Sequence, residues 1–473
     1  MKDIKKNIIN KILICVTAFY FMSGLICCNK IVSVPEPINT ITTTETFSTE
    51  ANATSAVANI YSDMSYENNS ARYGNGRTTI YAGMSADELS NFGSLSTYET
   101  NTILSRDGTI GGYFWSPAYK DIYYANSVIE GVQASLSLPV SVKNQLAGEA
   151  KFLRGFIYFY LVNLFGDVPL VTSTPFAANS LLARSPSSLV YKQIITDLED
   201  AQSLLPGDYS VSGGEKTRAN KFAATAMLAR VFLYEQQWDS AALQATSLIN
   251  SGNFSLDNPG DVFLMNSNEA ILQLQTIDNT PFATQEGNQF VARTPQSTPN
   301  YYLTTQLLGA FELGDQRRLA WIDSSTAGGV VYYYPGKYKS RQATSGNVTE
   351  YYMLLRFAEQ YLIRAEARAQ QTPNDLIGAL NDLNTIRNRA GLDSLPNFLT
   401  QSQALTAIEQ ERRIELFCEW GHRWFDLKRW GTAIQTLDTI PYKAGNINSS
   451  QLLYPIPLSE IQTDPNLKQN PGY

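Results

Sequence analysis

The arrangement of apolar and polar positions along the chain predicts a mainly helical protein. The most strongly apolar stretch, residues 149–171, reads EAKFLRGFIYFYLVNLFGDVPLV, and its aliphatic and aromatic side chains recur at helical spacing. They cover nearly the whole circumference of the predicted helix, which is typical of a helix buried among other helices. Gly166 tolerates the left-handed conformation in which many helices end, and Pro169 prevents continuation of the helix.

Several further stretches predict helices of ordinary length. A first helix, through residues 57–64, has Thr46 or Ser48 as its predicted N-cap. Two stretches, 222–250 and 351–389, each predict a helix, a short turn and a second helix, with alanines flanking the turn. Each of these pairs approaches the length of a tetratricopeptide repeat, about 34 residues. Other predicted helices lie around residues 119–129, 189–205 and 403–418.

Between these helices lie segments with a different pattern. Residues 66–112 are polar and rich in Gly, Asn and Ser, and they predict a long irregular loop. Residues 270–275 alternate as a strand does, and segments 280–302 and 323–342 are rich in tyrosine and punctuated by Gly and Pro. The predicted fold class is therefore mainly α, a tetratricopeptide-like superhelix of helix pairs with long irregular loops and minor β structure.

The N-terminus has the pattern of an export signal. Four lysines precede an uncharged run from residue 12 to residue 26, which is too short for a comfortable membrane span. The run ends in Cys27 and Cys28, and Leu25 stands three positions before Cys28, as in a bacterial lipobox. Residues 1–27 are therefore predicted to be a lipoprotein signal peptide with lipidation at Cys28. Cleavage before Cys27 and an ordinary secretory signal with an incidental Cys pair are the alternatives. Residues 28–45, with two prolines and a run of Thr, predict an extended tether.

Composition narrows the functional classes. The chain has 473 residues, and its 36 basic residues against 43 acidic ones leave no basic footprint for nucleic acid. Aromatic residues make up 11%, which is high for a soluble protein and supplies many rings for packing or binding. After removal of the signal and lipidation, Cys418 would be the only free cysteine, so no disulfide is expected; its apolar neighbours predict a buried side chain.

Candidate catalytic groups are few. His422 is the single histidine, and it lies among large aromatic residues, so a structural role is favoured over catalysis. Glu411, Glu415 and Glu419 are spaced four residues apart and alternate with arginines, which favours an ion-pair network. Two carboxylates suffice for a glycosidase, however, and a helical glycoside hydrolase stays an alternative. No cofactor or metal motif is present in the sequence, and the chain is not expected to be an enzyme.

Aromatic and polar residues in two loop regions are the candidate ligand-binding residues. A sugar ring presents a face of C–H bonds that stacks on Tyr or Trp, while amide, carboxylate and guanidinium groups bond its hydroxyls. Packing of the same rings against the helices is the alternative for each of them. The first region holds Asp87, Asn91, Phe92, Tyr98 and Asn101; the second holds Tyr301, Tyr302, Trp321, Tyr332, Tyr333 and Tyr334.

Six segments, in order along the chain, resemble conserved segments of the SusD/RagB family of outer-membrane nutrient-binding lipoproteins. The segment at 149–169 is similar to the family's signature helix, and ERRIEL at 411–416 with GHRWFDLKRW at 421–430 is the most specific match. The other four segments are WSPAYKDIYYAN at 115–126, RANK at 218–221 with the Ala-rich helix after it, YLIRAEA at 361–367 with NTIR at 384–387, and YPIP at 454–457 with NPGY at 470–473.

The resemblance implies residues 46–252 as an N-terminal region with tetratricopeptide-like helices and residues 253–473 as the family's C-terminal region. It further implies a lipid-anchored protein of the cell outer membrane that faces the exterior, holds a glycan or oligosaccharide and passes it to a SusC-like TonB-dependent transporter. A peptide ligand is the alternative within the family. The family implies four helix pairs, and it implies that the loop from Asp87 to Asn101 contributes to the ligand site.

Overall fold

The computed structural model describes residues 43–65, 72–276, 284–342 and 348–473. The predicted signal peptide and most of the tether, including Cys28, lie outside the described residues. Residues Phe47–Tyr473 form one compact unit. The division between residues 252 and 253 stays a prediction about sequence regions.

Helices dominate the described chain, as predicted. Shorter helical segments include Tyr73–Arg77, Gln285–Phe290 and Gln316–Trp321. The helices of eight residues or more are α1 (Glu50–Ser65), α2 (Thr78–Ser85), α3 (Ser116–Ala134), α4 (Val140–Phe165), α5 (Ser187–Leu204), α6 (Lys221–Tyr234), α7 (Trp238–Ile249), α8 (Phe357–Gln370), α9 (Leu376–Arg389), α10 (Gln401–Glu415) and α11 (His422–Arg429).

Successive helices pack on one another in chain order, which confirms the predicted tetratricopeptide-like stack. From α3 to α9, each helix contacts the next one along the chain, including α7 and α8, which flank the segment that contains most of the strands. The small side chains Ala223, Ala226 and Ala229 of α6 are fully buried and let neighbouring helices approach closely. Asn220 caps α6, because its side chain accepts a hydrogen bond from the Ala223 backbone N–H at 3.0 Å.

Helix α4, whose sequence resembles the family's signature helix, packs against α1, α3, α5 and α6. Every residue from Phe152 to Val162 is buried, as the continuous apolar surface predicts. The helix ends at Gly166, which adopts a φ of +74°. An ideal Cβ at Gly166 would lie 2.8 Å from Leu453 Cδ1, so both the backbone conformation and the close contact favour glycine there.

Strands form three small antiparallel sheets. The described strands are β1 (Leu89–Asn91), β2 (Ala270–Leu274), β3 (Tyr301–Leu303), β4 (Ile322–Ala327), β5 (Val330–Pro335) and β6 (Tyr352–Arg356), paired as β1 with β3, β2 with β6 and β4 with β5. The strand predicted at 270–275 is confirmed. The helix pair predicted from Tyr351 is corrected, because residues 352–356 pair with β2 and the first helix starts at Phe357.

Two other local predictions are wrong. Residues 66–112 do not form a continuous irregular loop, since their described part contains Tyr73–Arg77, α2 and β1. The side chains of Ile80, Ala82 and Met84 are buried in this segment. Their burial was not predicted, because the segment as a whole has a polar composition. The N-cap of α1 is Thr49, the residue before Glu50, since its hydroxyl accepts a hydrogen bond from Asn52 N at 3.3 Å; the predicted N-caps, Thr46 and Ser48, lie earlier in the chain.

Candidate functional site

Strand pairing brings the two predicted ligand-binding regions together, although about 210 residues separate them in sequence. In the β1–β3 pair, Ser90 lies opposite Tyr302 and Asn91 opposite Tyr301. The pairing continues one residue further, where Phe92 N donates to Asn300 O at 2.9 Å. The β4–β5 hairpin contacts β3 and brings Tyr332 to the same place.

Three rings from these segments form an accessible cluster, which we call the aromatic platform: Phe92, Tyr302 and Tyr332. The ring centroids of Phe92 and Tyr332 are 5.8 Å apart, and those of Tyr302 and Tyr332 are 5.5 Å apart, both edge to face. Phe92 is 46% exposed, and the two tyrosines are half-buried. Mutual packing fixes the rings while part of their surface stays open to solvent, as a stacking site for a flat apolar face requires.

The remaining accessible candidates lie beside the platform rather than in it. Successive side chains of a strand point to opposite faces, and Tyr301 accordingly packs on Phe290 with a centroid distance of 6.3 Å. Tyr333 is 39% exposed, and it alternates with Tyr332 along β5. Asn91 is half-buried, and its side-chain amide donates to Ser94 O at 3.4 Å.

Asp87 and Asn101, both predicted ligand-binding residues, are buried and bonded to other residues of the protein, which favours a structural role for them. Asp87 is 3% exposed, and its carboxylate accepts hydrogen bonds from Arg423 at 2.8 and 3.0 Å and from Arg413 at 2.8 Å. Burial alone would raise the pKa of Asp87, but the two guanidinium groups outweigh it and lower that pKa. Asn101 is buried, donates to Ser85 O and accepts from Lys443 Nζ at 2.8 Å.

Tyr98 and Trp321, also predicted to bind ligand, are buried as well, which favours packing as the role of both rings. The Tyr98 ring is buried and packs 4.5 Å from the ring of Tyr81. Trp321 is 1% exposed, and its indole N–H donates to Pro259 O at 2.6 Å. Lys337 Nζ lies 4.6 Å from the centroid of the Trp321 ring, so this ring packs against a buried charge.

The three regularly spaced glutamates belong to a buried ion-pair network, as predicted. Glu411 and Glu415 bind Arg317 at 2.5 and 2.8 Å, and Glu419 binds Arg356 at 2.8 Å. Their partners come from other elements of the structure. Arg412, which lies between Glu411 and Glu415 in sequence, forms its ion pair with Asp426. Burial raises the pKa of Glu415, but three arginines around it hold that pKa well below its usual range. The network gives these carboxylates a structural role.

His422 and Cys418 are both buried. Burial is the largest of the influences that lower the pKa of His422, and the neighbouring arginines lower it further, so the imidazole is neutral at pH 7. Cys418 is almost completely inaccessible, as predicted for a small apolar side chain. No cluster of His, Cys, Asp and Glu suited to a metal ion occurs in the described ranges. Within those same ranges, no helix has the length and apolar character needed to span a bilayer.

Glu286 is a buried carboxyl that makes stability depend on pH. The Tyr352 hydroxyl donates to Glu286 Oε1 at 2.9 Å, and burial raises the pKa of Glu286 to about 8. The ordinary pKa of an unfolded glutamate is about 4.3. Between these two values the folded protein binds a proton that the unfolded chain has lost, so the contribution of Glu286 to stability falls as pH rises.

We therefore expect Glu286→Gln to flatten the pH dependence of stability. From pH 5 to pH 8 the free energy of unfolding should fall in wild type by on the order of 3 kcal/mol more than it does in the variant. Urea unfolding at the two pH values measures this difference, with Glu199→Gln, on the exposed face of α5, as the control. An equal pH dependence in wild type and Glu286→Gln would show that this carboxyl is already ionised in the folded protein.

A cavity of about 520 Å³ is an additional feature that the sequence did not reveal; we call it the polar pocket. It reaches the aromatic platform through Asn300, whose carbonyl bonds Phe92 N. No spacing or motif predicts the pocket, because its residues come from segments that are separate in sequence, one of them the helix Gln285–Phe290. It is lined by Asn288, Gln289, Arg293, Asn300, Arg341 and Gln342.

Comparison with known proteins gives one consistent result. Residues 315–473 match the model of the SusD family, and residues 36–233 match a family model described as "Starch-binding associating with outer membrane". A curated relative, "SusD-like protein P25" of Formosa agariphila, is 25% identical over 91% of this chain and 94% of its own. The chain belongs to the SusD/RagB family.

Solved structures share the fold. A SusD homolog from Bacteroides thetaiotaomicron superposes with a TM-score of 0.78 at 21% identity, covering 91% of this chain and 98% of that one. A structure titled "Laminarin binding SusD-like protein" superposes with a TM-score of 0.75 at 24% identity, covering 89% and 99% of the two chains.

Proposed function

We propose that this protein binds a glycan on the aromatic platform. The observation that carries the proposal is the convergence of Phe92, Tyr302 and Tyr332 from segments far apart in sequence into one accessible cluster. Rings that serve only packing are usually buried, as Tyr98 and Trp321 are, whereas Phe92 keeps nearly half of its surface exposed. Membership of a family whose model is described as starch-binding supports a carbohydrate as the ligand.

The wider role that we propose is glycan delivery. The protein is anchored to the cell outer membrane by a lipid on Cys28, faces the exterior, and passes its ligand to a SusC-like TonB-dependent transporter. The lipobox-like sequence and the outer-membrane description of the family model support this role. Affinity purification of the lipidated protein tests it: a transporter should co-purify, and its consistent absence would contradict the delivery step.

No hydrolysis is part of the proposed function. The most regularly spaced carboxylates, Glu411, Glu415 and Glu419, are committed to arginines in the interior, and the protein is proposed to bind glycan without cleaving it. Release of reducing sugar that disappears in a Glu→Gln variant would contradict this and support the glycoside hydrolase alternative.

We expect Tyr332→Ala and Phe92→Ala each to weaken glycan binding at least about tenfold, because each removes a ring at the centre of the contact surface. Calorimetry against a polysaccharide and peptide panel first selects the ligand, and the variants are then titrated with it. Phe398→Ala is the matched control, since this ring is exposed elsewhere and should leave affinity unchanged. Unchanged affinity in both platform variants would overturn the site, and binding of peptides alone would overturn the ligand class.

A further inference from the structure

The lining of the polar pocket carries positive charge and no negative charge. Its lining consists of two guanidinium groups, Arg293 and Arg341, and four amide side chains, without a carboxylate. The whole chain carries a formal net charge of −7, so the positive character of the pocket is a local feature. A cavity that combines guanidinium and amide donors offers hydrogen bonds to an acceptor-rich ligand.

The backbone around it holds Arg341 in place. Its Nη1 donates to Asn288 O at 2.7 Å and to Val291 O at 2.6 Å, the carbonyls at the end of the helix Gln285–Phe290. The segment before Arg341 can approach this helix because residue 287 is glycine: an ideal Cβ there would lie 2.2 Å from Ser340 O. The guanidinium is therefore positioned before any ligand arrives.

The two arginines differ from the arginines of the core in having no acidic partner. In the parts of the chain that the structure describes, no carboxylate oxygen lies within 4 Å of either guanidinium, whereas Arg230 and Arg317 both form buried ion pairs. Burial and the nearby charge of Arg293 both lower the pKa of Arg341. Two like charges in one pocket repel each other, and an anion bound between them would relieve that repulsion.

We propose that the polar pocket binds an acidic substituent of the glycan, a uronate carboxylate or a sulfate ester, while a neighbouring sugar ring stacks on the aromatic platform. The inference rests on the proposed function and specifies its substrate class as an acidic glycan. Guanidinium groups bind carboxylate and sulfate oxygens through paired hydrogen bonds, which gives both affinity and orientation. The shared contact at Asn300 and Phe92 places the two binding surfaces side by side.

Paired polymers that differ only in charge test the proposal. Polygalacturonate is compared with its fully methyl-esterified form for the carboxylate, and dextran sulfate is compared with dextran for the sulfate. We expect the full-length protein to bind one of the acidic forms at least about tenfold more tightly than its neutral counterpart, with affinity falling as NaCl is raised. Arg293→Gln should lose at least about fivefold in affinity for that acidic polymer without a change in thermal stability, because Arg293 is exposed and makes no ion pair among the described residues.

Lys192→Gln is the matched control, since it removes one exposed positive charge from α5, outside the pocket. Equal loss of affinity in both variants would overturn the proposal in favour of general electrostatic attraction.

If the acidic and neutral polymers bind equally and Phe92→Ala weakens binding, the acidic ligand class is overturned while glycan binding at the aromatic platform is supported. Loss in Arg293→Gln but not in Phe92→Ala would support the pocket and contradict the platform. Poly-glutamate binding as tightly as the acidic glycan would overturn the glycan class, and binding of neither polymer type would contradict both proposals.

Discussion

Replacing Arg356 with methionine is expected to lower the free energy of unfolding by about 3–5 kcal/mol, because it leaves several buried carboxylates without their cation. Arg356 is almost inaccessible, and all of its donor nitrogens are engaged. Nε and Nη2 bind Glu419 at 2.8 and 2.9 Å, Nη1 binds Glu269 and Glu415 at 2.7 and 2.6 Å, and Nη2 also binds the Glu415 carbonyl at 2.7 Å.

A double-mutant cycle with Glu415→Gln tests whether the network acts as a unit. Each single change should be strongly destabilising, and the double variant should lose clearly less than the sum, because the second change removes a carboxylate that the first one left uncompensated. Urea unfolding gives the four free energies, and Arg106→Met, at an exposed arginine, is the control. Purely additive losses, or a loss below about 1 kcal/mol for Arg356→Met, would contradict the network as described.

Phe156→Ala is expected to cost about 3–5 kcal/mol of stability, as other buried Phe truncations do. The ring is fully buried in α4 and packs against Tyr160 and Trp420, with centroid distances of 5.0 and 5.2 Å. The change leaves a cavity between α4 and the segment that precedes α11, at the centre of the helical scaffold.

Glycan affinity of the folded Phe156→Ala protein should equal that of wild type, because this ring belongs to the buried core and the platform lies on the accessible surface. Thermal or urea unfolding and calorimetry at a temperature where the variant is folded measure the two quantities. Phe398→Ala, at an exposed ring, should change stability by no more than about 0.5 kcal/mol. A large affinity loss in folded Phe156→Ala would mean that the signature helix shapes the ligand site directly.

The helical scaffold was predictable because its signal is local. In α4 and in the pairs α6–α7 and α8–α9, apolar spacing along a few turns determines which face is buried. The segment 72–91 was missed for the opposite reason. Its burial depends on contacts with residues distant in sequence, such as the hydrogen bond that Thr79 Oγ1 accepts from Trp420 N at 2.9 Å. Its own composition predicts a polar loop.

The candidate site was predictable only in part. The sequence pointed to rings in two regions that the structure brings together, but it could not distinguish the accessible Phe92 from the buried Tyr98 six residues later. That distinction depends on partners distant in sequence, namely the pairing of β1 with β3 and the packing of Tyr98 on Tyr454. The polar pocket was not predictable, because Arg293 and Arg341 are far apart in sequence and line one cavity through tertiary contacts such as the close approach of Ser340 to Gly287.

A crystal structure of the protein with the oligosaccharide selected by calorimetry tests the central claim most directly. We predict a sugar ring stacked on Phe92, Tyr302 or Tyr332, with its substituents reaching toward the polar pocket. The larger cavity of about 760 Å³, lined by Tyr61, Thr217 and Gln275 among others, is the alternative position. Ligand bound in that cavity, with the aromatic platform unoccupied, would contradict the account.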